Sequence, residues 1–302
     1  MNQLPDHIYS AIYKIFHENP IFIRRVKGGM VNHAAQITLN NVKYFVKWNM
    51  SSPTPSFAAE ARGLDIVRAT HAFRVPDVIA YADGEGVSDA ASYLILEWIN
   101  RSSKFHHDTL FEKLGHSLAN MHRIHGTVFG LDHDNYIGNI KQHNTPTLSW
   151  SEFYREQRIK PQIAIAKRLG RLGYKRELLL HKLIDRIDNI FDGCNPIPSL
   201  LHGDFWEGNF FATKNHQIAI FDPAIYYGDR EVEIAYTEVF NNFPPAFLNA
   251  YQDVYPLDQN YAYRRPLLQL YLMLVHLNHF GEEYLGENYG RKVDDICKYY
   301  VK

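Results

Sequence analysis

The sequence predicts an α+β chain in two parts: a small antiparallel β lobe over residues 1–100 and a larger, mostly helical lobe over 101–302. Three observations carry this. Strand-like runs bounded by turn residues crowd the first hundred positions. Helical periodicity takes over after Asn100. The 302 residues suffice for two lobes of ordinary size.

Residues 5–18 space their apolar positions as a short amphipathic helix. IFIRRVKG (21–28), HAAQITL (33–39) and VKYFVKW (42–48) read as strands. Gly28-Gly29 and Asn40-Asn41 between them predict antiparallel hairpins. After SSPTPS, residues 57–70 read as a helix with Phe57, Ala61 and Leu64 on one side. Residues 75–81 and 91–99 supply a fourth and a fifth strand. Residues 108–126 predict a helix with Asp108 as N-cap, Phe111, Leu114, Leu118 and Met121 on one face, and Gly126 as its end. Two more helices are expected over 149–169 and 175–191. Residues 217–224 read as a strand and turn, and the chain from Glu231 onward as mostly helical.

A net charge of −1 provides no electrostatic footprint for nucleic acid and no basic field for a membrane surface. Two cysteines, Cys194 and Cys297, exclude a disulfide framework and suit a reducing compartment. The N-terminus lacks a signal-peptide pattern, and the longest apolar run, 267–277, is too short to span a bilayer. A cytoplasmic monomer is expected. The histidines at 106, 107, 116, 122, 125 and 133 have no zinc-type spacing and read as surface or capping residues.

Chemistry concentrates in LLHGDFWEGNFF (200–211), where a buried strand is interrupted by His202, Gly203, Asp204, Gly208 and Asn209. Asp204 has the chemistry to accept a proton from a hydroxyl nucleophile. Asn209 and the later Asp222, in IFDPA, offer oxygens to Mg²⁺, which favours one or two protein oxygens completed by phosphate and water. Upstream, Gly28, Gly29 and Asn32 form a turn that either cradles an anion or is a plain hairpin. Lys47 sits among apolar strand residues, and Glu60 follows on a helix. They are either a phosphate-directed ion pair or two surface charges. In this order the groups match phosphoryl transfer from ATP, which asks mainly for positioning and charge compensation.

The chain resembles the fructosamine (ketosamine) 3-kinases, within the wider group of protein-kinase-like bilobal folds that includes the aminoglycoside phosphotransferases. GGMVNHA, YFVKWN, FAAEARGLDIVRA, LEWI, LGHSLANMHR, DNYIGNIKQHN, LLHGDFWEGNFF and IFDPAIYYGDREVEIAYTEVF carry the resemblance over nearly the whole length. It implies Asp204 as proton acceptor, Asn209 and Asp222 as magnesium ligands, and Lys47 with Glu60 as the phosphate-binding pair. Glu97, Trp98 and Ile99 would meet adenine through backbone groups. The implied substrates are glycated small-molecule amines or glycated protein lysines, phosphorylated on the carbon-3 hydroxyl in a deglycation role.

Met30 stands where the family usually has an acidic residue, and no cysteine occupies the glycine turn, so no disulfide-switched dimer is expected. Glu233 stands where related kinases use Asp to brace the catalytic loop, and is either a brace or a surface charge. His202 reads as holding the loop rather than as the base. Trp206 either flanks the substrate or packs in the core. Asp229 is either a helix cap or a substrate-side carboxylate, and Asn135 is a candidate for the acceptor pocket. The competing functions are a kinase of another hydroxyl, such as an aminoglycoside or choline, and a pseudokinase that binds ATP without transfer.

Overall fold

The computed structural model describes residues 4–26, 32–49, 56–84, 92–102, 107–240 and 243–301. In chain order the elements are α1 (Asp6–Phe16), β1 (Ile21–Arg25), β2 (His33–Leu39), β3 (Val42–Asn49), α2 (Phe57–Ala69), β4 (Val78–Asp83), β5 (Ser92–Glu97), α3 (His107–His122), β6 (Asn135–Ile137) and β7 (Ile140–Gln142). α4 (Trp150–Phe153), a π-helical turn (Tyr154–Ile159), α5 (Lys160–Arg168), α6 (Tyr174–Ile184), α7 (Ile187–Ile190) and β8 (Ser199–Leu201) follow. A 3₁₀ turn (Glu207–Asn209), β9 (Phe210–Ala212), β10 (Ile218–Ile220), β11 (Tyr226–Gly228), α8 (Glu231–Thr237), α9 (Pro245–Val254), α10 (Tyr261–Phe280), β12 (Glu283–Tyr284), β13 (Glu287–Asn288) and α11 (Tyr289–Tyr300) complete the chain.

The chain forms two compact units. The first holds residues 1–110, 135–141 and 206–224; the second holds 111–134, 142–205 and 225–302. A single cut near residue 100 is therefore not what contacts define. The reason is backbone pairing that local composition does not encode. Arg74 N–H donates to Ile218 C=O at 2.9 Å, Ile220 N–H donates to Arg74 C=O at 3.0 Å, and Ser102 N–H donates to Ala212 C=O at 2.8 Å. These bonds tie the β9–β10 hairpin to the first unit.

In that unit an antiparallel sheet runs in the order β1-β2-β3-β5-β4. Asn40 and Asn41, both at positive φ, close the β2–β3 hairpin as their identity predicts. Gly28 and Gly29 lie outside the described residues. Strand alternation decides the site: Val46 and Trp48 enter the core with Ile8 and Ile12 of α1, so Lys47 projects from the other face. Ser56 caps α2 by accepting from Ala59 N–H, which fixes the helix that carries Glu60. β4 begins at Val78 rather than 75, because Pro76 has no N–H to donate to the ladder.

In the second unit α10 is the central helix, with Leu267, Leu268, Leu270, Tyr271, Leu274 and Leu277 all buried. α3 ends at His122, four residues short of Gly126, because the following backbone serves β8: Ile124 C=O accepts from Leu200 N–H and Gly126 N–H donates to Pro198 C=O. Asp108 lies inside the first turn of α3 instead of capping it. The helix expected over 149–169 is split by the π-helical turn, which carries buried Arg158. Its guanidinium lies 3.9 Å from the Tyr226 ring centre and donates to Asn144 Oδ1 at 2.7 Å. No helix among the described residues is long and apolar enough to cross a membrane.

Candidate active site

The first unit holds an ammonium between two carboxylates. Lys47 Nζ donates to Glu60 Oε1 and Oε2 at 3.0 and 2.9 Å and to Asp222 Oδ1 at 3.1 Å. The surface-charge reading of Lys47 and Glu60 is thereby excluded. Their side chains are 9% and 14% exposed, whereas Asp222 is 33% exposed and open to a ligand. Burial alone would lower the Lys47 pKa, but Asp222 and Glu60 together raise it above the ordinary lysine value. Burial pushes the Glu60 carboxyl up to about 7; Lys47 opposes this and Asp222 reinforces it. The two shifts agree physically, since two carboxylates share one cation.

Asp222 has a φ of +55°, a left-handed conformation unusual outside glycine, as befits a functional site. β10 register brings it beside the turn that ends at Asn209: Phe221 N–H donates to Asn209 C=O at 3.1 Å. Asn209 is buried and ends the 3₁₀ turn, which its own N–H closes on Trp206 C=O at 2.9 Å. A methyl group at Gly208 would lie 2.2 Å from the far edge of the Trp206 indole, so a side chain there must displace that ring. Asn209 and Asp222 thus offer an amide and a partly exposed carboxylate at one end of one hairpin. That donor pair fits a hard cation completed by phosphate and water. Among the described residues no group of three or more His, Cys, Asp or Glu forms a protein-only metal cage.

The other first-unit candidates divide. Asn32 Oδ1 accepts from Asn49 Nδ2 at 2.8 Å, anchoring the residue before β2 to the end of β3. The Glu97 carboxylate is engaged by Arg74 and by Asp77 N–H, and Glu97 N–H donates to Asp77 C=O at 2.9 Å. Arg24 stacks over Trp98 at 5.5 Å, and Ile99 is half-buried. Trp206 is 42% exposed, so it is no core residue, and Asn135 is buried in β6.

The second unit presents Asp204 on a loop held from behind. Glu233 Oε2 accepts from His202 N–H at 3.0 Å and Oε1 accepts from Gly203 N–H at 2.7 Å. Glu233 is the brace, not a surface charge. Gly203 has a φ of +83°, which only glycine adopts without strain. His202 is fully buried and its Nδ1 accepts from Asp204 N–H at 3.3 Å, the loop-holding role expected of it.

Sequence reasoning missed what stands behind Glu233. His122 Nε2 meets Glu233 Oε2 at 2.9 Å, and His122 Nδ1 meets Tyr251 Oη at 2.8 Å. Arg230 Nη1 donates to Tyr251 Oη at 3.0 Å. Burial lowers the His122 pKa, against the pull of Glu233. Burial opposes ionisation of Glu233, yet its bonds from His122 and the loop hold its carboxyl below the ordinary value. The available signal was position: His122 follows Leu118 by four residues on the buried face of α3. Its reading as a surface or capping residue is corrected.

Asp229 Oδ1 accepts from Glu231 N–H at 3.0 Å, while Arg230 occupies the formal N-cap of α8. Burial, with Glu231 nearby, pushes Asp229 up to about 7. It lines a cavity of ≈250 Å³ with Cys194, Arg230, Tyr255 and Arg264, which shares no residue with the Asp204 loop. The geometry favours the helix-start role.

An ammonium bracketed by carboxylates, an amide beside a partly exposed carboxylate and a braced loop Asp are groups of the kind a phosphoryl-transfer enzyme uses. The sequence matches the fructosamine kinase family over residues 7–298. It is 37% identical over 262 residues to the probable ketoamine kinase slr1563 of Synechocystis sp., covering 86% of this chain and 85% of that one. It is 36% identical to the chloroplastic protein-ribulosamine 3-kinase of Arabidopsis thaliana, over 87% of this chain and 78% of the other. The crystal structure of a candidate fructosamine-3-kinase from Haemophilus somnus superposes with a TM-score of 0.81 at 29% identity, covering 96% and 95% of the two chains. Aminoglycoside phosphotransferase APH(4)-Ia shares the fold, with a TM-score of 0.65 at 15% identity over 98% and 99%. The chain belongs to the fructosamine kinase family.

Proposed function

We propose that the chain transfers the γ-phosphoryl group of ATP to the carbon-3 hydroxyl of ketosamines, the fructose- or ribulose-type adducts of amines and protein lysines. Phosphorylation there makes the adduct prone to spontaneous loss, so the implied role is deglycation in the cytoplasm. The observation that carries the reading is Lys47 held between Glu60 and Asp222, with Asp222 the most exposed of the three.

Lys47 has the charge and position to meet the α- and β-phosphates, with Glu60 keeping its ammonium aimed. Backbone groups of 97–99 receive the adenine. Asn209 and Asp222 would hold Mg²⁺, which supplies charge neutralisation on the phosphate oxygens. Asp204 accepts the proton of the carbon-3 hydroxyl as that oxygen attacks phosphorus, and Glu233 keeps its loop in place.

The test is ADP release on ribulose- and fructose-modified lysine beside an aminoglycoside and choline. Turnover on the ketosamines and none on the others is expected. Asp204→Asn should lower kcat on the order of 10²–10⁴-fold. Absence of turnover on every ketosamine, with folded protein and Mg²⁺ present, overturns the substrate assignment.

A further inference from the structure

Glu233 Oε2 accepts from His202 N–H on the catalytic loop and also meets His122 Nε2 at 2.9 Å. An ionised carboxylate is an acceptor only, so that second contact needs a proton on Nε2. A neutral ring with its proton on Nδ1 instead would set lone pair against lone pair. The group at Nδ1 is Tyr251 Oη, 2.8 Å away.

The direction of the Tyr251–His122 bond follows from the other side of the phenol. Arg230 Nη1 donates to Tyr251 Oη at 3.0 Å, and a guanidinium has no acceptor. Arg230 is itself fixed: it donates to Tyr255 C=O at 3.1 Å and to Pro256 C=O, and its guanidinium lies 3.7 Å from the Tyr255 ring centre. Tyr251 is fully buried, and among the described residues its Oη meets Arg230 and His122 alone. Burial raises its pKa against the pull of Arg230, so the phenol keeps its proton. That proton has one acceptor, His122 Nδ1. With a proton on Nδ1, the phenol would be a buried donor without a partner. The charged and titratable groups around fully buried His122 are Glu233 and Arg230, Tyr251 on α9 and, across Glu233, His202.

Resting on Asp204 as the base of the reaction above, we propose that Tyr251 is a positioning residue that acts on the catalytic loop through His122 and Glu233. Arg230 donates to Tyr251, Tyr251 O–H donates to His122 Nδ1, and His122 Nε2–H donates to Glu233, which accepts from the N–H groups of His202 and Gly203. By occupying Nδ1 with a donor, Tyr251 holds the imidazole as a neutral Nε2–H donor. Glu233 then keeps its full charge for the loop N–H groups beside Asp204.

The experiment combines ¹⁵N NMR of the imidazole nitrogens with kinetics, for Tyr251→Phe made in wild type and in a His122→Gln background. In wild type His122 should show a protonated Nε2 and an unprotonated, hydrogen-bonded Nδ1. In Tyr251→Phe the Nδ1 signal should move to that of a free ring nitrogen, and the ring should take up a proton at higher pH. Its kcat on ribulose-modified lysine should fall on the order of tenfold, and further as pH is lowered, with KM for ATP unchanged. A glutamine amide offers Glu233 an N–H whatever meets its other end. In the His122→Gln background Tyr251→Phe should therefore cost less than about twofold. A merely structural role would lower kcat equally in both backgrounds and leave the pH profile in place. An equal cost in both, or a protonated Nδ1 in wild type, overturns the assignment. The spectra need no substrate. If wild type turns over no ketosamine, the substrate reading fails and the Nδ1 signals of wild type and Tyr251→Phe decide the role of Tyr251.

Discussion

Replacing Glu233 with Gln removes one charge and leaves the shape of the side chain intact. The carboxylate receives three bonds, from Gly203 N–H at 2.7 Å, His202 N–H at 3.0 Å and His122 Nε2 at 2.9 Å. Its side chain is buried. A Gln has one acceptor oxygen. If that oxygen faces His202 and His122, the amide NH₂ meets Gly203 N–H, donor against donor. If it is flipped, NH₂ meets His202 N–H. Either way one buried backbone N–H is left unpaired, at roughly 1–3 kcal/mol, and the remaining bonds lose their charge assistance. A total of roughly 2–4 kcal/mol corresponds to a drop in Tm of about 3–6 °C for a chain of this size. Asp204 is one residue beyond Gly203, so the loop relaxes where proton transfer occurs. A shift of about 1 Å there costs up to about 10²-fold in rate. The assay is coupled ADP release with a saturating ketosamine, alongside calorimetric melting. The expected result is kcat lowered by about 10–100-fold with KM for ATP unchanged, because Lys47, Glu60 and Asp222 are held by other contacts. Wild-type kcat and an unshifted Tm would refute the argument that the brace positions the base.

Three further outcomes are expected. Because burial raises the folded Glu60 pKa from 4.5 to about 7, the native state retains a proton that the unfolded chain releases; nucleotide-free stability should therefore fall as pH rises across that window. Glu60→Gln should lack this component, and parallel wild-type and variant melting curves from acidic to neutral pH would contradict it. Gly208→Ala should swing the Trp206 indole outward rather than unfold the chain, since the obstructing atoms are the far edge of a partly exposed ring. A red-shifted tryptophan emission, absent in a Trp206→Phe background, checks this, and unchanged emission argues against it. Asp222→Asn should weaken Mg²⁺ dependence by shifting half-saturation upward while leaving Glu60 paired to Lys47. Magnesium titration of turnover reads the shift, and an unaltered titration would remove Asp222 from the ligand set.

The strands of the five-stranded sheet, the α2 insertion and the Asn40-Asn41 hairpin were legible because each rests on local chemistry: alternation, a cap, a left-handed turn. Lys47 was legible as an oddity, a cation in an apolar strand, but its choice between pairing and solvent was not. The answer depends on Asp222, 175 residues away. The brace was half-visible through Glu233, whereas His122 resembled any other helix histidine because its partners, Glu233 and Tyr251, lie on other helices. The split helix over 149–169 was hidden because a π-helical turn leaves no mark on apolar spacing.

The chain's order of residues, by itself, determined which chemical groups exist and where each strand or helix places them: an Asp204–Asn209 loop, a later Asp222, and a lysine facing away from the core. Tertiary structure alone decided which of them meet. The β9–β10 hairpin joins the first unit through three backbone bonds to 74 and 102, and a buried carboxylate on α8 closes on the loop that carries Asp204. Periodicity and capping act over a few residues, whereas a desolvated charge takes its partner from whatever the folded chain brings within hydrogen-bond reach.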